Sequence, residues 1–95
     1  MLSTQQVNII IDAMKPYNPI RIGIFGSVAR GENTNESDID ILYEFNHEYT
    51  LFDLAGLQLQ LQAALKKHVD LVEFTTIHPK LKKHILPDVK MVYGE

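Results

Sequence analysis

The segment GIFGSVARGENTNESDIDILYEF, residues 23–45, constrains the fold more than any other part of the chain. It closes one alternating apolar run, Ile20 to Phe25, and breaks at Gly26. It then opens a second run, Ile39 to Phe45, on two aspartates that flank Ile39. Successive side chains of a strand point to opposite faces, so Asp38 and Asp40 share a side, with Cα atoms roughly 6.5–7 Å apart. A strand led by two carboxylates cannot begin inside a core, because buried unpaired charge is strongly unfavourable. It can begin at the rim of a sheet. Ile39, Ile41, Leu42 and Tyr43 then hold the backbone in the sheet while the carboxylates stay accessible.

The rest of the chain reads as alternating helices and strands. Ser3 to Lys15 is predicted helical: Ser3 and Gln6 form a capping box, Val7, Ile10, Ile11 and Met14 make an apolar stripe, and Pro16 ends it. Ile20 to Phe25 is a strand with Ile20, Ile22 and Ile24 on one face. Ser27 to Arg30 can begin a short helix. Leu51 to Lys67 reads as a helix opened by Thr50 and Asp53. Its LQLQLQ stretch, residues 57–62, alternates like a strand, but its length and its Leu, Gln and Ala content favour the helix. Val69 to Phe74 is a third strand. His78 to Leu86 is a helix with Pro79 in its first turn, and Val89 to Tyr93 forms a last short strand. The sum is an α/β (α+β) fold, a small mixed sheet flanked by helices.

At 95 residues the chain is expected to form one domain, 1–95. The 45% apolar content argues against disorder. With no cysteine there is no disulfide frame and no cysteine zinc site. The N-terminus MLSTQQVNII lacks a basic signal-peptide region, and no apolar run approaches the ~20 residues of a membrane span, so a cytoplasmic protein is expected. A net charge of −3 argues against a domain whose main task is gripping nucleic acid.

Paired carboxylates at this spacing suit a hard cation such as Mg²⁺, which takes oxygen ligands and substrate phosphates together. Asp70 opens VDLVEF as Asp38 and Asp40 open theirs, and neighbouring strands would bring all three to one sheet end. The turn supplies the complementary half. Gly26 allows close backbone approach to a phosphate, Ser27 offers a hydroxyl, and Arg30 offers positive charge. Each residue alone has a plainer reading: Asp38 as a turn cap, Gly26-Ser27 as an ordinary turn, Asp70 as a strand boundary. No Walker A loop, Rossmann fingerprint or nucleophile elbow is present.

Taken together, GSVARGENTNESDIDIL resembles the signature of the DNA polymerase beta-like nucleotidyltransferase superfamily: Gly-Ser, then Asp-x-Asp in a strand. Ala29-Arg30-Gly31 and Ser37 before Asp38 resemble the minimal nucleotidyltransferases, the MNT family, and KKHVDLVEF resembles that family's third-carboxylate strand. The resemblance runs from about Ile20 to Phe74. It implies Asp38, Asp40 and Asp70 as catalytic and metal-holding residues for Mg²⁺, with two ions, and Gly26, Ser27 and Arg30 as the triphosphate-binding group. It implies AMP transfer from ATP to a hydroxyl, a tyrosine, of a partner HEPN-domain ribonuclease toxin, with the MNT chain as antitoxin in a hetero-oligomer. A non-catalytic antitoxin that masks the toxin, and nucleotidyl transfer to RNA, are the alternatives. The acidic balance counts against RNA.

The remaining polar residues read blandly. His47, His68, His78 and His84 show no metal spacing and are expected at the surface. Lys66, Lys67, Lys80, Lys82 and Lys83 read as solvated helix faces, with contact to an acidic partner or RNA as the alternative; Glu36, Glu44 and Glu73 lie near the proposed site in sequence, and neither Glu44 nor Glu73 receives a catalytic role. Phe52, Ala55 and Leu59 lie outside the Leu54, Leu57, Leu61, Leu65 stripe, so burial on two sides of that helix is expected, with a partner-binding face as the alternative.

Overall fold

The computed structural model describes residues 2–26, 29, 31 and 38–94. Helix α1, Thr4–Met14, begins with the expected capping box. Ser3 Oγ accepts from the Gln6 amide at 3.1 Å, and Gln6 Oε1 accepts from the Ser3 amide at 2.9 Å. Its apolar stripe buries Ile10 and Met14 completely. A 3₁₀ turn, Lys15–Tyr17, follows, and Asn18 at φ 54° turns the chain into strand β1, Pro19–Phe25. Strand β2 is Ile39–Phe45 and helix α2 is Leu51–Leu65. Strand β3 is Val69–Glu73, helix α3 is Pro79–Ile85, and strand β4 is Lys90–Tyr93. Of the short helix expected over Ser27 to Arg30, Ala29 alone lies among the described residues, and it is helical; Ser27, Val28 and Arg30 lie outside them.

The four strands form one sheet in the order β3-β2-β1-β4. β1 runs antiparallel to β2 and to β4, while β2 and β3 are parallel. A parallel pair needs a crossover, and α2 supplies it. The core lies on the face that carries Ile22 and Ile24 of β1, Ile39, Ile41 and Tyr43 of β2, and Val69 of β3. Ile10 and Met14 of α1 and Leu57, Leu61 and Leu65 of α2 close over it. On the other face a Cβ at Gly23 would meet Val89 Cγ1 at 2.7 Å, so glycine lets the β4 approach lie close on β1. There Arg21 pairs with Glu44 at 2.7 Å and stacks 3.7 Å over the Phe74 ring.

Helix α2 opens with Thr50 and Asp53 in a reciprocal capping box. It ends at Leu65, two residues short of Lys67, because Lys66 adopts the left-handed conformation at φ 57°. Its glutamines explain the strand-like alternation. Gln58 Nε2 donates to the Val69 carbonyl at 2.7 Å, and Gln62 Oε1 accepts from the Val69 amide at 3.1 Å. These amides occupy the outward backbone groups where edge strand β3 begins, and Leu57 and Leu61 turn into the core between them. Burial of α2 on two sides is not what the fold does. Phe52 is 89% exposed and Leu59 65%, because α1 packs beside α2 and no described element lies over its outer side.

Candidate active site

The parallel register of β2 and β3 places Asp40 beside Asp70 and Ile39 beside Val69. The Ile39 amide donates to the His68 carbonyl at 3.0 Å, which extends the same register one step and sets Asp38 beside His68. Alternation then puts Asp38, Asp40, His68 and Asp70 on one face, at the leading ends of two adjacent strands. The three carboxylates expected to meet do so here. His68 Nδ1 lies 3.5 Å from Asp38 Oδ2 and 3.7 Å from Asp70 Oδ1. Donor atoms of Asp38, His68 and Asp70 all lie within 4.8 Å of one another.

His68 is therefore a correction to the bland reading of the histidines. Half-exposed as expected, it nonetheless faces two of the three carboxylates. The signal was available: His68 stands two residues before Asp70, so it shares that strand face as surely as Asp38 shares the face of Asp40. Glu44 is held by Arg21, and Glu73 Oε1 accepts from Thr75 Oγ1 at 2.6 Å, so both are engaged away from this cluster.

The four positions differ in environment. Asp38, His68 and Asp70 are about half exposed, while Asp40 is more enclosed. Burial pushes the Asp40 carboxyl above its ordinary value. The charge and hydrogen bond of Asp70, and more weakly the charge of Asp38, push the same way, while His68 pulls against them. Like-charged groups held this close favour a cation among them.

The glycine turn touches this cluster directly. Phe25 pairs with Asp40, and Gly26 follows at φ 78°. A Cβ built on Gly26 would run into Asp40 Oδ2, so the turn lies against the carboxylate with no room for a side chain. Ala29 beyond it is buried in the core. Ser27 and Arg30 lie outside the described residues. The oxygen-rich donor set of Asp38, Asp40 and Asp70 fits a divalent cation. Gly26 itself packs closely on Asp40.

A groove of about 410 Å³ runs along the free edge of β3. Tyr43, Leu51, Leu54, Ala55, Gln58, Asp70 and Leu71 line it. It joins the apolar outer side of α2 to the strand that carries Asp70. No helix among the described residues is long and apolar enough to cross a membrane.

Comparison with known proteins agrees with this geometry. Residues 7–91 match the nucleotidyltransferase domain family. The protein adenylyltransferase MntA of Thermococcus cleftensis is 33% identical over 97 residues, covering 97% of this chain and 98% of that protein. A toxin–antitoxin complex crystallised with AMP-PNP contains a chain that superposes with a TM-score of 0.83 at 26% identity. The match covers 94% of this chain and 73% of that one. A complex of tri-AMPylated Shewanella oneidensis HEPN toxin with MNT antitoxin contains a chain that superposes with a TM-score of 0.79. There the match covers 99% of this chain and 74% of that one, and at 23% identity it bears on the fold alone. The chain belongs to the nucleotidyltransferase domain family, as a minimal nucleotidyltransferase and hence a transferase enzyme.

Proposed function

We propose that this chain transfers AMP from Mg-ATP to a tyrosine hydroxyl of a HEPN-domain toxin and so acts as its antitoxin. The observation that carries the proposal is the convergence of Asp38, Asp40 and Asp70 at one sheet end, with Gly26 packed on Asp40. The name of the Thermococcus cleftensis relative supports a protein as acceptor. The toxin–antitoxin complex that contains the 26% identical chain supports a toxin partner.

In this reading Asp38, Asp40 and Asp70 hold two Mg²⁺ ions. When bound, these ions lower the charge on the triphosphate and stabilise the attacking and leaving oxygens. The Gly26 turn, with Ser27 and Arg30, orients the triphosphate so that its α-phosphorus faces the acceptor. The acceptor oxygen forms a bond to that phosphorus as the bond to pyrophosphate breaks. The hydroxyl proton passes to a carboxylate of the cluster, with Asp70, on the strand beside the groove, as the base.

The toxin docks on the exposed side of α2. Leu51, Phe52 and Leu59 are 85%, 89% and 65% exposed there, and this apolar side continues through the groove to Asp70. A partner seated on it delivers a hydroxyl toward the carboxylates. The same surface favours a second reading, in which the chain neutralises the toxin by binding alone.

One experiment separates the two. The chain is incubated with labelled ATP, Mg²⁺ and its co-encoded partner, and the partner's intact mass is read. A gain of AMP units, absent with Asp40→Asn, supports transfer. An unmodified partner that Asp40→Asn still neutralises as well as wild type would establish masking instead.

A further inference from the structure

We infer that His68 is a protein ligand to the cation held by Asp38 and Asp70, and that its ring nitrogen biases this position toward Co²⁺ and Zn²⁺ over Mg²⁺. The inference rests on the reading of the carboxylates as metal ligands and adds a nitrogen to a site otherwise built from oxygen.

Backbone geometry brings the ring there. The Ile39 amide on the His68 carbonyl locks His68 beside Asp38, and His68 and Asp70 share a strand face. Nδ1 then lies nearly equidistant from one oxygen of each aspartate, at 3.5 and 3.7 Å. Those separations are long for hydrogen bonds, which cluster near 2.9 Å. They suit ligands that share one ion: metal bonds of about 2.1 Å in a tetrahedral arrangement set neighbouring ligand atoms roughly 3.4 Å apart. Exposure near one half at all three residues leaves the cluster open to an ion from solvent.

The chemistry of the third ligand sets the preference. Mg²⁺ binds carboxylate, water and phosphate oxygen and gains little from imidazole. Co²⁺ and Zn²⁺ accept imidazole readily. The close contacts of His68 Nδ1 are with Asp38 and Asp70, so the bias belongs to the Asp38–Asp70 position.

The test reads binding rather than turnover. Co²⁺ is titrated into the full chain and followed by its visible d–d absorption, while Mg²⁺ is titrated by calorimetry. The proteins are wild type, His68→Ala, His68→Gln and Asp70→Asn. Both His68 variants are expected to weaken Co²⁺ roughly tenfold or more while Mg²⁺ changes by less than about threefold. Asp70→Asn is expected to weaken both ions. In ¹⁵N spectra of the wild type, Co²⁺ should shift or broaden the His68 ring nitrogens. Unchanged Co²⁺ affinity in both His68 variants, with Asp70→Asn still weakened, would overturn the role of His68 and leave the carboxylate site standing. Tighter binding of both ions without the imidazole would also overturn it, showing that His68 competes with the ion. Unaltered binding in Asp70→Asn would instead defeat the carboxylate reading itself.

Discussion

At the scale of single residues, Asp40 links stability to the proposed chemistry. Burial raises its carboxyl first, and Asp70 raises it further. In the unfolded chain the same group titrates at its ordinary value. Below that value both states are protonated and Asp40 contributes nothing. As pH rises from there through the raised folded value, the unfolded chain ionises first, so the metal-free fold loses stability, fully above the folded value. Metal-free Asp40→Asn should therefore melt a few degrees higher than wild type at neutral pH, with the difference vanishing on acidification. Thermal melts across that window check the sign. Adding Mg-ATP should reverse the order. At one hundred times Kd a ligand stabilises by about 2.7 kcal/mol, and Asp38→Asn and Asp40→Asn should each lose most of that gain. Gly26 and Gly31 offer a matched pair, at φ 78° and 75°. Alanine at Gly31 meets nothing within 4 Å and should cost only the left-handed strain, about 1–2 kcal/mol. Alanine at Gly26 must also displace the Asp40 carboxylate, so urea unfolding should show a larger loss, and stabilisation by Mg-ATP should disappear.

At the scale of elements, the joint between α2 and β3 decides whether the carboxylates meet. Gln58 and Gln62 hold both backbone groups of Val69, one step from Asp70 and from His68. Replacing both with leucine should cost about 1–3 kcal/mol in urea unfolding, from two lost hydrogen bonds near 1 kcal/mol each. Mg-ATP stabilisation should weaken as well, because β3 loses its fixed position. The helix starts were legible in the sequence because a capping box is local: Ser3 with Gln6, and Thr50 with Asp53. The purpose of LQLQLQ was not. Its alternation reflects two demands on one helix, leucines for the core and glutamines for a strand edge, and only the crossover brings that edge beside it.

At the scale of the whole molecule, the sheet presents a half-open site and α2 an uncovered apolar side. A partner that covers Phe52 and Leu59 would bury most of two large side chains. Light scattering on the co-expressed pair should show a hetero-oligomer. Phe52→Asp and Leu59→Asp should each weaken it by about 2 kcal/mol or more, as buried interface anchors do. Because both residues are exposed in the lone chain, its melting temperature should hardly move. Loss of the fold in either variant would place that residue in the core after all.

What the sequence by itself determined is whatever depends on neighbours along the chain. Strand alternation put Asp38 and Asp40 on one side, capping residues set where α1 and α2 begin, and the apolar stripes chose the buried faces. Asp70 was legible too, because it opens its strand as the other two open theirs. Only the tertiary structure decided the rest. The parallel register set Asp40 against Asp70 and His68 against Asp38, contacts across strands that no local pattern encodes. Burial on both sides of α2 was expected from its composition alone. It failed because burial is a property of what packs above a helix, and in this fold α1 lies beside α2 while no described element covers its outer side.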